Sequence, residues 1–279
     1  MQQQSFRLDL GKEERLIRGE IRVPEGSGRL PVIIVCHGFK GFKNWGFFPV
    51  LAETLAEAGF AVITFNFSMN GVGEDPERFT ELDKFARLTF SREQEDLAFL
   101  LEHVKRGSLP FAERMHLERT GIMGHSRGGG NSLIFAFDHP EIQSVVIWNS
   151  IHRVDFLDPR IISEIREKGV AYIPNARTGQ QMPVGREVIE DIEQNKERFD
   201  ILGRLPQLHC PLLLVQGDQD LPGFLEGAKQ MAEAAPRATL HVIGGANHTM
   251  GAVHPFAGMT PHLEEAIRET AGFFKKTLG

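Results

Sequence analysis

The stretch T-G-I-M-G-H-S-R-G-G-G-N-S-L-I-F-A-F, residues 120–137, passes from an apolar strand pattern at 120–123 to a helical pattern at 126–137 with almost no loop between. Its corner is Gly124-His125-Ser126-Arg127-Gly128, a G-x-S-x-G sequence. A serine on so tight a turn is forced into strained backbone angles, and its hydroxyl projects above the sheet. Glycines two residues to either side leave room for neighbouring backbone. The helix N-terminus aims N–H groups at the place where an oxyanion would develop. A glycine-rich turn without chemistry shares the bare pattern, but the strand–turn–helix context favours Ser126 as a nucleophile.

Outward from this corner, strand and helix patterns alternate. The run P-V-I-I-V-C at 31–36 is continuously apolar and β-branched, as in a parallel strand covered on both faces. Residues 14–23 alternate like a half-buried strand, 49–59 form an amphipathic helix, and 60–65 read as a second buried strand. A loop at 66–76 precedes a helical face over 91–105, and 144–148 make a further strand. Between 151 and 208 the rhythm breaks into a more charged segment with a long helical candidate at 186–202. Strands at 211–215 and 239–243 and helices at 224–235 and 261–278 complete the chain. The expected fold class is α/β, a doubly wound and mostly parallel sheet. Residues 1–150 and 209–279 form its core, with 151–208 as an inserted cap or lid.

Composition narrows the function. The 279 residues carry 31 Lys+Arg against 37 Asp+Glu, a mild net charge of −6 with no basic block, which argues against nucleic acid as a partner. No apolar run approaches the roughly 18 residues of a membrane span. The polar start, Met1 to Leu10, lacks the pattern of a secretory signal. Two cysteines, Cys36 and Cys210, exclude a disulfide framework and read as buried free thiols. A cytoplasmic enzyme, with a homodimer as one option, is the expectation. No His/Cys/Asp cluster has metal-ligand spacing and no H-E-x-x-H occurs, so neither metal nor cofactor is expected.

A serine nucleophile requires a base oriented by an acid; where the serine sits on a strand-to-helix elbow of an α/β sheet, the chain order is Ser, then Asp or Glu, then His. Four histidines follow late enough: His241, His248, His254 and His262. His241 lies inside a strand pattern and His262 opens the last helix. His248, in the loop after the 239–243 strand, is favoured over its neighbour His254. For the acid, Asp220 in Gln216-Gly217-Asp218-Gln219-Asp220 is favoured. Asp218 could cap that turn, and Asp155 and Asp158 rank third. The two oxyanion donors are expected to be the backbone N–H groups of Arg127 and of Phe39, in the loop Cys36-His37-Gly38-Phe39-Lys40-Gly41. His37 and Gly38 would shape that loop.

The motifs H-G-F at 37–39, G-H-S-R-G-G at 124–129, G-D-Q-D at 217–220 and G-A-N-H at 245–248 together resemble the α/β-hydrolase fold superfamily. The resemblance is closest to its serine esterase branch, with dienelactone-hydrolase-like and cinnamoyl or feruloyl esterases as relatives. It implies Ser126, Asp220 and His248 as a triad, with Phe39 and Arg127 as the oxyanion hole. Cinnamoyl esterases also carry an inserted subdomain before the strand that delivers the acid. Arg127 departs from them, standing where Gln is frequent. A cation at the site mouth is then expected to favour anionic substrates.

The function expected is hydrolysis of a small-molecule carboxylic ester through an acyl-enzyme. Acyl-peptidase, thioesterase and lactone hydrolase activities share the triad, because specificity lives in pocket shape. A dehalogenase or epoxide hydrolase would need a carboxylate at position 126. A ligand-binding module without catalysis is the rival from another class. The crowd of Phe42, Trp45, Phe47 and Phe48 reads mainly as packing, and 70–75 as a loop near the site rim.

Overall fold

The computed structural model describes residues 1–175 and 178–279. Its strands are β1 (Gln2–Asp9), β2 (Leu16–Val23), β3 (Leu30–Cys36), β4 (Ala61–Asn66), β5 (Met115–His125), β6 (Ile142–Trp148), β7 (Val170–Pro174), β8 (Gln181–Gly185), β9 (Leu212–Gly217) and β10 (Ala238–Ile243). Helices are α1 (Phe48–Glu57), α2 (Leu82–Ala86), α3 (Phe90–Lys105), α4 (Arg127–Asp138), α5 (Pro159–Lys168), α6 (Arg186–Gln194), α7 (Ile201–Arg204), α8 (Phe224–Ala234) and α9 (Pro261–Leu278). Among the described residues no helix is long and apolar enough to cross a membrane.

The continuous apolar runs behave as their composition requires. In β3, Val32 to Cys36 are buried, β4 is buried throughout, and so is β9. They sit inside an eight-stranded sheet of order β1-β2-β4-β3-β5-β6-β9-β10. From β4 to β10 every pairing is parallel, whereas β1–β2 and β2–β4 are antiparallel. Such a sheet with helices between its strands is the doubly wound arrangement expected. The loops after the C-terminal ends of β3, β5, β6, β9 and β10 therefore gather along one edge, where open α/β folds bind ligands.

Several elements differ from the sequence reading, and α2, α5, β7 and β8 fall where no helix or strand was expected. β1 was not expected, because its inward face carries only Phe6 and Leu8 between polar residues. β5 begins at Met115 rather than 120, since its first residues pair with Leu30 and Pro31 across a register shift. The helix expected over 186–202 is two helices. Asn195 ends α6 by donating to the Asp191 carbonyl at 2.8 Å, and the Asp200 carboxylate caps α7 by accepting from Gly203 N–H at 3.0 Å. Apolar periodicity runs through the break because both pieces face the same interior.

Between β6 and β9, α5, the β7–β8 hairpin and α6 enclose a small apolar cluster of their own. It holds Ile165, Ala171, Val184, Val188 and Ile189, and Phe39 from the loop after β3 packs against it. Cys36 and Cys210 are both buried free thiols, and burial pushes them up to about 12 and about 11. Neither is poised as a nucleophile.

Candidate active site

Ser126 is the corner between β5 and α4, with φ 57° and ψ −121°. A non-glycine residue holds such angles only where its surroundings over-determine them. Here they do. Ser126 N–H donates to the Trp148 carbonyl at 2.9 Å, and its carbonyl accepts from Gly129 at 3.0 Å and Ile151 at 3.3 Å. The flanking glycines are where neighbouring backbone comes closest. A Cβ on Gly124 would lie 2.0 Å from the Gly128 carbonyl oxygen, and one on Gly128 would lie 2.3 Å from that of Cys36. The end of β5, the start of α4 and the loop after β3 thus share one volume that no side chain can enter.

His248 reaches this corner from the loop between β10 and α9. Its Nε2 lies 3.0 Å from Ser126 Oγ, and its Nδ1 lies 2.6 Å from Asp220 Oδ1. The Asp220 carboxylate is 1% exposed. Its Oδ1 also accepts from Leu221 N–H at 2.6 Å, and its Oδ2 accepts from the Gln216 side-chain amide at 2.8 Å. With Nδ1–H donating to Asp220, Nε2 is left to accept from the serine hydroxyl. The arrangement can move a proton off Ser126 and hold the resulting imidazolium beside a buried carboxylate.

Two residues that the sequence reading did not single out for this task hold the His248 loop. His125 Nε2 donates to the His248 carbonyl at 2.7 Å, and Asn149 Nδ2 donates to the same oxygen at 2.9 Å. Asn149 Oδ1 accepts from Gly217 N–H at 2.8 Å, so one side chain ties the β6, β9 and β10 loops together. Its φ of 42° is in a region that asparagine tolerates better than most residues. An asparagine directly after a buried strand was the available signal.

The alternatives stand elsewhere. His254 accepts from Gly46 N–H at 3.0 Å and contacts Glu77 at 2.9 Å, beside Trp45 and Phe42. His241 is engaged with Glu265 at 2.8 Å, and His262 lies beside Gly245. Asp218 accepts from Gly245 N–H at 2.7 Å and so closes the turn. Asp155 pairs with Arg153, and Asp158 caps α5.

The loop after β3 abuts the serine: a Cβ on Gly38 would be 3.1 Å from Ser126 Cβ. The Gly38 carbonyl accepts from Gly41 N–H at 3.0 Å and from His37 Nδ1 at 2.9 Å. Phe39 N–H belongs to the same trans peptide and is thereby turned the opposite way. His37 Nε2 accepts from Phe67 N–H at 3.3 Å, and burial pushes this imidazole down to about 4, so it stays neutral. Among the described residues, the amides of Phe39 and Arg127 donate to no protein acceptor.

The Arg127 side chain corrects the expectation of a cation at the site mouth. It is 2% exposed and folds onto α3, where Nη2 and Nε meet the Glu93 carboxylate at 2.7 and 2.9 Å. The guanidinium carbon lies 3.8 Å from the centre of the Phe90 ring. Its charge is compensated and covered, so it offers nothing to an anionic substrate. Arg127→Met strands the Glu93 carboxylate in the interior and is expected to cost about 3–5 kcal/mol. Glu93→Gln with Arg127→Met should recover most of that loss, as measured by urea unfolding.

Cavity size does not mark the site. A concavity of about 820 Å³ lies at the opposite edge of the sheet, walled by Pro140, Pro211, Arg237 and Phe273. Pro140, Pro211 and Arg237 immediately precede strands, whereas Ser126, Asp220 and His248 all follow them.

A strongly bent serine at a strand–helix corner, on this sheet order, defines a class, and comparison agrees. The chain belongs to the alpha/beta hydrolase fold family, whose model matches residues 31–181. That makes the protein a hydrolase of the α/β type. An uncharacterized 31.7 kDa protein of the traX-finO intergenic region of Escherichia coli is 27% identical over 258 residues, covering 78% of this chain and 82% of that one. Serine hydrolase BPHL of Mus musculus is 25% identical, with 82% of this chain and 76% of the mouse protein covered. Among solved structures, Est1E from Butyrivibrio proteoclasticus with bound ferulic acid superposes with a TM-score of 0.72 at 18% identity, covering 98% of each chain.

Proposed function

We propose that the protein is a serine hydrolase that cleaves carboxylic esters. Ser126 Oγ attacks the ester carbonyl while His248 Nε2 takes its proton, and Asp220 stabilises the imidazolium. The amides of Phe39 and Arg127 receive the tetrahedral oxyanion, each lowering the barrier by on the order of 3 kcal/mol. His248 then returns the proton to the leaving alkoxide, which departs as the alcohol and leaves Ser126 acylated. Water, deprotonated by the same imidazole, releases the acid. Residues 151–208 act as the cap over this site, on the core of 1–150 and 209–279.

The observation that carries the reading is the unbroken line from Ser126 Oγ through His248 to the Asp220 carboxylate, at 3.0 and 2.6 Å. The serine hydrolase name of the mouse relative and the ferulic acid held by the Est1E structure support it. The compensated Arg127 favours an uncharged acyl group. Lactones, thioesters and acyl-peptides present a similar carbonyl, so they enter the test as competitors. A fluorophosphonate probe should label Ser126, located by peptide mass spectrometry. Turnover of short-chain p-nitrophenyl esters should exceed that of the matched thioesters, lactones and acyl anilides. Absence of labelling, or a higher kcat/KM on a competing class, overturns the ester reading.

A further inference from the structure

Against the side chains of both residues whose amides form the proposed oxyanion hole lies a small void of about 10 Å³. Its walls are apolar but for Arg127, and they include Phe39, Phe85, Phe156 and Val188. Space of this size is at the limit for one water. Val154, Leu157 and Ile192 form one side of the void and are also walls of an outer groove of about 560 Å³. That groove continues over Ile162, Ile189, Phe199 and Leu202 to a charged rim that includes the Arg166–Glu193 ion pair.

We infer that this groove receives the apolar acyl chain of the substrate, an uncharged chain of medium length, with Val154, Leu157 and Ile192 as the partition it pushes aside. The inference rests on the ester reading above and adds the substrate class. The side of the site decides which half of the ester enters. The leaving alcohol must depart toward His248, which protonates it. The void lies against the Phe39 and Arg127 side chains, one residue beyond Gly38 and Ser126 respectively, and neither His248 nor its neighbour Phe224 nor Ser126 itself is among its walls. The chain attached to the carbonyl carbon is therefore the part directed toward the partition. Leu157 and Ile192 are only half-buried. Leu157 lies in the irregular segment between β6 and α5, so moving it breaks no ladder or helix hydrogen bond.

The test compares p-nitrophenyl acetate with p-nitrophenyl octanoate. Wild type should favour octanoate by about tenfold or more in kcat/KM, because methylenes in an apolar pocket discriminate at that scale. Ile162→Trp and, separately, Leu202→Trp fill the groove at half-buried positions away from the triad. Each should lower octanoate turnover about tenfold and leave acetate within about twofold, the acetate activity reporting that the variant is folded. Leu157→Ala should raise octanoate turnover selectively. Binding of both esters to Ser126→Ala by calorimetry supplies a readout independent of turnover. Ester turnover with no chain-length preference, or equal loss on both esters in both Trp variants, overturns the groove and leaves the ester reading standing. Chain-dependent binding, abolished by Ile162→Trp, in a protein that turns over neither ester sinks the ester reading and leaves the groove.

Discussion

Ser126→Ala is expected to lower kcat on a short-chain ester by about 10⁶-fold while the melting temperature stays close to that of wild type. The change removes one hydroxyl and a single 3.0 Å hydrogen bond, at a corner whose backbone is held by Trp148, Gly129 and Ile151. His248→Ala should lose about as much, and the double variant no more, because the two groups act as one unit. Asp220→Asn should cost about 10⁴-fold. Whichever way the new amide lies, its NH₂ faces a donor. At one oxygen position that donor is the Gln216 side chain, and at the other it is Leu221 N–H together with His248 Nδ1. With the NH₂ at the Oδ1 position the imidazole loses the partner that keeps its proton on Nδ1, and with it at the Oδ2 position it loses the negative charge that stabilises the imidazolium. Single-turnover kinetics on the purified variants check all four, and more than about 1% residual kcat in Ser126→Ala removes the serine from the mechanism.

Gly128→Ala is expected to cost more than about 3 kcal/mol and to abolish most of the remaining activity of whatever folds. The added Cβ would sit 2.3 Å from the Cys36 carbonyl oxygen and 2.5 Å from that of His37. Both are backbone, so no rotamer relieves the clash. Either α4 moves, carrying the Arg127 amide, or the loop after β3 moves, carrying that of Phe39. Stability and turnover should therefore fall together. Gly272→Ala is the matched control: a Cβ there meets nothing within 4 Å, in the interior of α9. It should stabilise by about 0.5–1 kcal/mol and leave turnover unchanged. Thermal unfolding with parallel ester assays measures both, and a Gly128→Ala protein with wild-type stability contradicts the close approach.

The readable parts of this fold are those whose signals are local. β3 and β9 announced themselves as unbroken apolar runs, and the corner at Ser126 as a strand pattern meeting a helix pattern. β1 was not readable, because two apolar residues on an edge strand are too few to establish a period of two. The break between α6 and α7 was hidden for the opposite reason, a periodicity that persisted through a turn made by Asn195 and Asp200.

From the order of residues alone came the position of a bent serine, and the two later loops from which an acid and a base could return to it. Chain order and loop placement favoured His248 over His254 and Asp220 over Asp218. Distances separated them: one histidine meets Ser126, whereas the other is engaged with Gly46 and Glu77. The fate of Arg127 was likewise decided in three dimensions, by a glutamate 34 residues earlier in the chain. Local pattern places backbone, because strand and helix periods are set within a few residues. The direction of a long or charged side chain depends on which neighbour the packed sheet brings within reach, and only the folded chain supplies that neighbour.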